Sequence, residues 1–146
     1  MLKEQSKAPE FALPDEEGKK HSLAAHKGKL VILYFYPKDN TPGCTQEACD
    51  FRDNLARLTA SDCVVYGISK DSESSHAKFI DKYDLNFSLL SDQNLIVHQA
   101  YEVLADNKTI RSTFLIDKTG KIAKVWSPVK VEGHVDQVMK AISTLN

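Results

Sequence analysis

Three cysteines (Cys44, Cys49 and Cys63) and five histidines (His21, His26, His76, His98 and His134) are the residues whose types allow nucleophilic, redox or metal chemistry. Their surroundings separate them. Cys44 stands in Pro37-Lys38-Asp39-Asn40-Thr41-Pro42-Gly43-Cys44-Thr45. Thr41 is a suitable helix N-cap, its hydroxyl free to accept from an amide and to donate elsewhere, and Pro42 fits the first helical position, where a missing N–H costs nothing. Cys44 then falls in the first turn, among amides that have no intrahelical partner. Their dipoles favour an anion and hence a thiolate. A thiol with the ordinary pKa of about 8.5 is about 3% ionised at pH 7, and a drop of about two units makes it roughly three-quarters ionised. Each unit needs about 1.4 kcal/mol, which a helix end and one nearby cation supply. Gly43 leaves the backbone open, so that a small substrate can reach the sulfur and the free amides together.

The other candidates are weaker. Cys49, five residues on, is either a bystander on the polar flank with Arg52 and Asp53 or a resolving thiol, and its nearness to an activated thiol favours the second. A Cys-x-x-Cys pair is absent, which argues against a general thiol–disulfide exchange protein. The histidines are scattered without zinc-site spacing and read as surface or packing residues. Cys63 opens an apolar stretch and reads as a buried structural thiol. Trp126 reads as core.

Elements must hold Cys44 in place. Leu30-Val31-Ile32-Leu33-Tyr34-Phe35-Tyr36 is apolar throughout and rich in β-branched and aromatic residues, as expected of a strand covered on both faces and ended by Pro37. The helix after Thr41 carries Ala48, Phe51, Leu55 and Leu58 as one stripe. Further strands are expected at 64–68, 88–90, 112–116 and 122–126, the last two joined by the turn Asp117-Lys118-Thr119-Gly120. Further helices are expected at 72–83 (with Phe79 and Ile80 inward), 94–101 and 134–145. A hairpin around 11–13 and 20–23 precedes them all. Alternating strands and helices describe an α/β protein, a three-layer α/β/α sandwich with an N-terminal β-hairpin, in which residues 1–146 form one domain.

Composition agrees with an ordinary globular chain: 146 residues, 42% hydrophobic and 27% charged. Nineteen Lys and Arg against 20 Asp and Glu leave a net charge of −1, so no nucleic-acid partner is expected. Without an apolar leader or a long apolar run, no membrane association is expected and the location is expected to be cytoplasmic.

At these residues the sequence resembles a peroxiredoxin, specifically the bacterioferritin-comigratory-protein (peroxiredoxin Q) subfamily. The pattern Pro-x-x-x-Thr/Ser-x-x-Cys is matched by Pro37, Thr41 and Cys44; the subfamily's second cysteine is matched by Cys49; and the family arginine is matched by Arg111 in Arg111-Ser112-Thr113-Phe114-Leu115-Ile116-Asp117. Similarity runs from Ala8-Pro9-Glu10-Phe11 to Val129-Lys130-Val131-Glu132-Gly133-His134. The resemblance implies a thioredoxin-like fold and reduction of hydrogen peroxide and organic hydroperoxides. Cys44 would pass through a sulfenic acid to a disulfide with Cys49, restored by thioredoxin or a glutaredoxin-like dithiol protein. Thr41 would hold the peroxide and thiolate, Arg111 would stabilise charge at the sulfur, and Pro37 would shield the pocket. No metal, haem or flavin cofactor is implied. A redox-sensing or chaperone-like thiol protein is the alternative. Only Glu102 to Ile110 separate Tyr101 from Arg111, shorter than is usual in the subfamily, which points to a monomer.

Such a disulfide constrains the helix. Residues five apart in an α-helix are separated by about 7.5 Å of rise and about 140° of rotation, which puts their Cα atoms roughly 8.6 Å apart. A disulfide tolerates at most about 7 Å. The first turns after Thr41 must therefore unwind for Cys44 and Cys49 to bond.

Overall fold

The computed structural model describes residues 2–145. The chain starts with a small antiparallel hairpin, β1 (Ala12–Pro14) and β2 (Lys20–Ser22). The Asp15 carboxylate closes it by accepting from the Glu17 and Lys19 amides at 2.8 and 3.0 Å. The main sheet comprises β3 (Leu30–Phe35), β4 (Cys63–Ser69), β5 (Ser88–Ser91), β8 (Ser112–Ile116) and β9 (Ile122–Trp126), in the order β5-β4-β3-β8-β9. β3, β4 and β5 are parallel, and β8 and β9 extend the sheet antiparallel.

All six residues of β3 are buried, as an unbroken apolar strand requires. Its side chains alternate. Leu30, Ile32 and Tyr34 enter a core with Ala48, Phe51 and Leu58 of α1 (Pro42–Ala60), Phe79 of α2 (Glu73–Tyr83), and Val135, Val138 and Ile142 of α4 (His134–Ser143). Val31, Leu33 and Phe35 enter the opposite core, with Phe11, Leu13, Leu23, Tyr101, Val103 and Val97 of α3 (Ile96–Ala100). The expected sandwich is present with unequal outer layers: three long helices cover one face, while the hairpin, a 3-10 turn (Ala24–His26) and α3 cover the other.

Two segments depart from expectation. α3 is five residues long, because Leu95 takes a left-handed conformation (φ 59°) that a helix cannot pass through. Between Tyr101 and Arg111 lies a tiny hairpin, β6 (Leu104–Ala105) with β7 (Lys108–Thr109). Asp106 and Asn107 both have positive φ, the requirement of a type I′ turn. Ile80 and Leu55 are partly buried at the core margin rather than inside it. No helix among the described residues is long and apolar enough to cross a membrane.

Sheet register builds the site. β3 and β8 pair Tyr34 with Thr113 and Phe35 with Ser112. Arg111 therefore lies level with the point where the chain leaves β3 for α1. A separation of 67 residues in sequence is closed by one antiparallel ladder.

Candidate active site

Cys44 sits in the first turn of α1 and is 1% exposed. Pro42 occupies the helix start as expected, and the Thr45 amide donates to the Thr41 carbonyl at 2.8 Å. The Arg111 guanidinium spans two partners: Nη2 donates to Cys44 Sγ at 3.2 Å and Nη1 to Glu47 Oε1 at 2.7 Å. The Arg111 backbone is held too, its carbonyl accepting from the Val129 amide at 2.8 Å. Gly43 eases this approach, since a Cβ there would lie 3.2 Å from Arg111 Nη2 and the guanidinium would have to give by a few tenths of an ångström. The openness expected to admit substrate admits the guanidinium.

Burial works against the Arg111 charge, but Glu47 and the Cys44 sulfur overcome it and raise its pKa above the ordinary value. Burial pushes the Glu47 carboxyl up to about 7, against the pull of Arg111. Its second oxygen, Oε2, and the hydroxyl of Tyr34 are buried without a hydrogen-bond partner among the described residues. A cation fixed against a sulfur stabilises negative charge as it develops there, and a carboxylate behind the cation fixes its orientation.

The site brings together Cys44 and Arg111, with Thr41 three residues before Cys44 at the start of α1. Pro37 is half-buried directly after β3 and Tyr36. Thr41 occupies the N-cap position with extended backbone, but its hydroxyl caps no amide. Oγ1 instead donates to the Lys38 carbonyl at 2.9 Å, tying the 37–41 loop to itself and leaving its lone pairs free. The expected side-chain cap is thus corrected, although the helix begins where the sequence placed it. Cys49 is half-buried on α1, and all three cysteines are free thiols. Cys63 is buried at the start of β4, where burial pushes its thiol up to about 12, consistent with an inert side chain.

Sequence reading passed over Glu47, although the signal was there: it is three residues after Cys44 and one before Ala48, a carboxylate on the apolar stripe. The histidines, expected to be surface or packing residues, include three that pack inside. His76, His98 and His134 are fully buried and hydrogen-bonded, so the surface alternative does not hold for them. His76 Nδ1 lies 2.7 Å from Asp39 Oδ2, His98 Nδ1 2.7 Å from Asp92 Oδ2, and His134 Nε2 2.8 Å from Thr113 Oγ1. No group of three or more His, Cys, Asp and Glu that could hold a metal ion occurs among the described residues.

A buried thiol at a helix start beside a fixed guanidinium, on a central sheet flanked by helices, defines the class of thiol-dependent peroxidases. The chain belongs to the AhpC/TSA family, whose model matches residues 5–125. Relatives bearing the name peroxiredoxin Bcp include one from Coxiella burnetii, 52% identical over 91% of this chain and 93% of its own, and one from Bacillus subtilis, 42% identical over 96% and 94%. Among solved structures, a peroxiredoxin Q mutant from Xylella fastidiosa superposes with a TM-score of 0.95 at 30% identity, covering 99% of this chain and 97% of that one. The Xanthomonas campestris bacterioferritin comigratory protein, described for its alkyl peroxide reduction activity, superposes with a TM-score of 0.89 at 34% identity, covering 92% and 90%. The fold is that of the thioredoxin-like peroxiredoxins, and the function is that of a thiol peroxidase acting on a peroxide with a thiol reductant.

Proposed function

We propose that Cys44 is the peroxidatic thiol, Cys49 the resolving thiol, and Thr41, Arg111 and Pro37 their supporting residues. The observation that carries this is the 3.2 Å contact of Arg111 Nη2 with Cys44 Sγ at the start of α1. The Cys44 thiolate attacks one oxygen of the hydroperoxide; the S–O bond forms as the O–O bond breaks, and the electron pair leaves with the other oxygen, which takes a proton to become water or an alcohol. Arg111 stabilises the charge passing through the sulfur. The Thr41 hydroxyl orients the peroxide, and Pro37 keeps water from that side. Cys49 then attacks the sulfenic sulfur, hydroxide leaves and is protonated, and a Cys44–Cys49 disulfide remains. A dithiol protein, thioredoxin or glutaredoxin-like, reduces it by exchange. The alkyl peroxide reduction activity of the Xanthomonas relative supports organic hydroperoxides as substrates alongside hydrogen peroxide. The short 102–110 segment, which folds into its own small hairpin rather than an arm, supports a monomer.

Mass spectrometry after one equivalent of peroxide tests the assignment. A Cys44–Cys49 disulfide is expected. Cys44→Ser abolishes turnover, because a hydroxyl supplies no thiolate near neutral pH, and Cys49→Ser still consumes about one equivalent. Normal turnover of Cys44→Ser with a thioredoxin system would refute the assignment.

A further inference from the structure

The loop from Tyr36 to Thr41 carries Pro37 and Thr41, yet it has no secondary structure of its own to fix it. What fixes it is a buried polar cluster at its centre. Asp39 is 7% exposed and His76 is fully buried. Asp39 Oδ1 accepts from the Tyr36 hydroxyl at 2.6 Å, and Oδ2 accepts from Ser75 Oγ at 2.8 Å and lies 2.7 Å from His76 Nδ1. The Asp39 amide donates to Asp71 Oδ2 at 2.9 Å. On the far side of the ring, His76 Nε2 lies 3.1 Å from the Leu90 carbonyl of β5. A carbonyl only accepts, so Nε2 donates to it; the Asp39 carboxylate likewise only accepts, so Nδ1 donates to it, and the ring ties the sheet to the loop through both N–H groups. Next along the loop, Asn40 takes a left-handed conformation (φ 59°) and accepts from the Tyr83 hydroxyl at 3.0 Å and from Lys82 Nζ at 3.3 Å. Ser75, His76, Lys82 and Tyr83 all belong to α2.

We propose that His76 is a positioning residue for the peroxidatic reaction, acting through Asp39 to hold the 36–41 loop, with Thr41 and Pro37, against Cys44. This rests on Cys44 being the reacting thiol. A buried Asp–His pair is a poor way to gain stability alone, since a well-packed apolar pair of the same volume does as well or better. Placed here, it supplies what an apolar pair lacks: a directional contact that fixes the middle of an irregular loop to both α2 and β5. His76 does not touch the sulfur or a bound peroxide. Its effect reaches the reaction through the backbone of Asp39, two residues from both Pro37 and Thr41. Misplacement of an orienting group by about 1 Å costs on the order of 100-fold in rate.

Two substitutions separate positioning from packing. His76→Asn keeps a donor near the place of Nδ1 and so retains the contact with Asp39. His76→Gln places its donor near Nε2, retains Leu90, and removes only the ring contact from Asp39, which keeps the Tyr36 and Ser75 hydroxyls. Single-turnover stopped flow on the reduced full-length protein with hydrogen peroxide measures Cys44 oxidation and the following disulfide step separately, with thermal melts in parallel. His76→Gln is expected to slow Cys44 oxidation about 10- to 100-fold while leaving the disulfide step within about threefold, and His76→Asn to stay within about threefold on both. Equal slowing of both steps, or wild-type oxidation by His76→Gln whatever its melting temperature, would overturn the proposal. If His76→Gln does not fold, Asp39→Asn, which retains the shape and an acceptor oxygen, is measured against the same criteria. Mass spectrometry of the wild type in the same run keeps the foundations distinct: oxidation at Cys49 or Cys63 in place of Cys44 would overturn the Cys44 assignment and this proposal with it, whereas a wild-type rate at Cys44 in the variants overturns the proposal alone.

Discussion

The two faces of the sheet use the same chemistry to different ends. Each carries a buried aspartate–histidine pair at 2.7 Å: Asp39 with His76 beneath the active-site loop, and Asp92 with His98 on the face of the hairpin and α3. Asp92 Oδ1 accepts from the Val97 amide, and Oδ2 accepts from the His98 amide and lies 2.7 Å from the His98 ring Nδ1. The ring continues to Thr109 at 3.0 Å and lies edge-on to Phe35, so this pair locks α3 to β7 and to the sheet. Against α1, satisfaction is incomplete, with Glu47 Oε2 and the Tyr34 hydroxyl left without partners among the described residues. Polar groups that are fully paired hold a fold still; the buried side-chain atoms left without partners among the described residues are these two and Ser91 Oγ, next to Asp92 at the end of β5.

The sharpest way to break this comparison is at His98. His98→Ala removes the side-chain partner of a buried carboxylate that keeps its two amide donors, and chemical denaturation should show a loss of about 1–3 kcal/mol. Cys44 oxidation by the folded fraction should stay at the wild-type rate; a slowed reaction would mean that the two faces are not separable.

Glu47→Gln sharpens it from the other side. The Glu47 carboxyl is held up at about 7 in the folded chain, above the ordinary carboxylate value of about 4.3. Below about pH 4 both states are protonated and the substitution should change stability little. Between there and pH 7 the unfolded chain ionises first, so the wild type loses stability as pH rises. The variant should gain up to about 3 kcal/mol relative to wild type by pH 8, measured by denaturation across that range. A flat difference from pH 4 to 8 would show that the buried carboxyl is not uphill to ionise.

Arg111→Ala removes the cation from the sulfur, and stopped flow should show Cys44 oxidation slowed on the order of 100-fold. Gly43→Ala should act the same way but more weakly, because its methyl crowds Nη2 at 3.2 Å without removing the charge. Rates equal to wild type from pH 5 to 8 would remove Arg111 from the reaction.

Motion should differ as well. If residues five apart on α1 bond, amides 41–52 should exchange faster in the oxidised than in the reduced protein, by about tenfold or more, while amides of β3 and α3 stay unchanged. Equal protection with a confirmed Cys44–Cys49 bond would exclude unwinding. The smallest effect is expected at Cys63→Ser, where the thiol lies buried far up the titration scale: turnover unchanged, with a modest fall in melting temperature.

What the sequence determined by itself was local. Pro42 after Thr41 set the start of α1, the unbroken apolar run set β3 as a strand covered on both faces, and the place of Cys44 in the first helical turn made it the candidate for the reacting thiol, because each rests on neighbours within a few residues. The type I′ turn at Asp106-Asn107 was legible in the same way and was passed over. Tertiary structure alone decided the rest. Only the pairing of Phe35 with Ser112 brings Arg111 to Cys44, a family match having pointed to the residue without giving a reason for its position. Only burial against the sheet raises Glu47 and turns His76 and His98 from scattered polar residues into anchors. Desolvation and register depend on which distant segments pack together, and neither is a property of residues near one another in the chain.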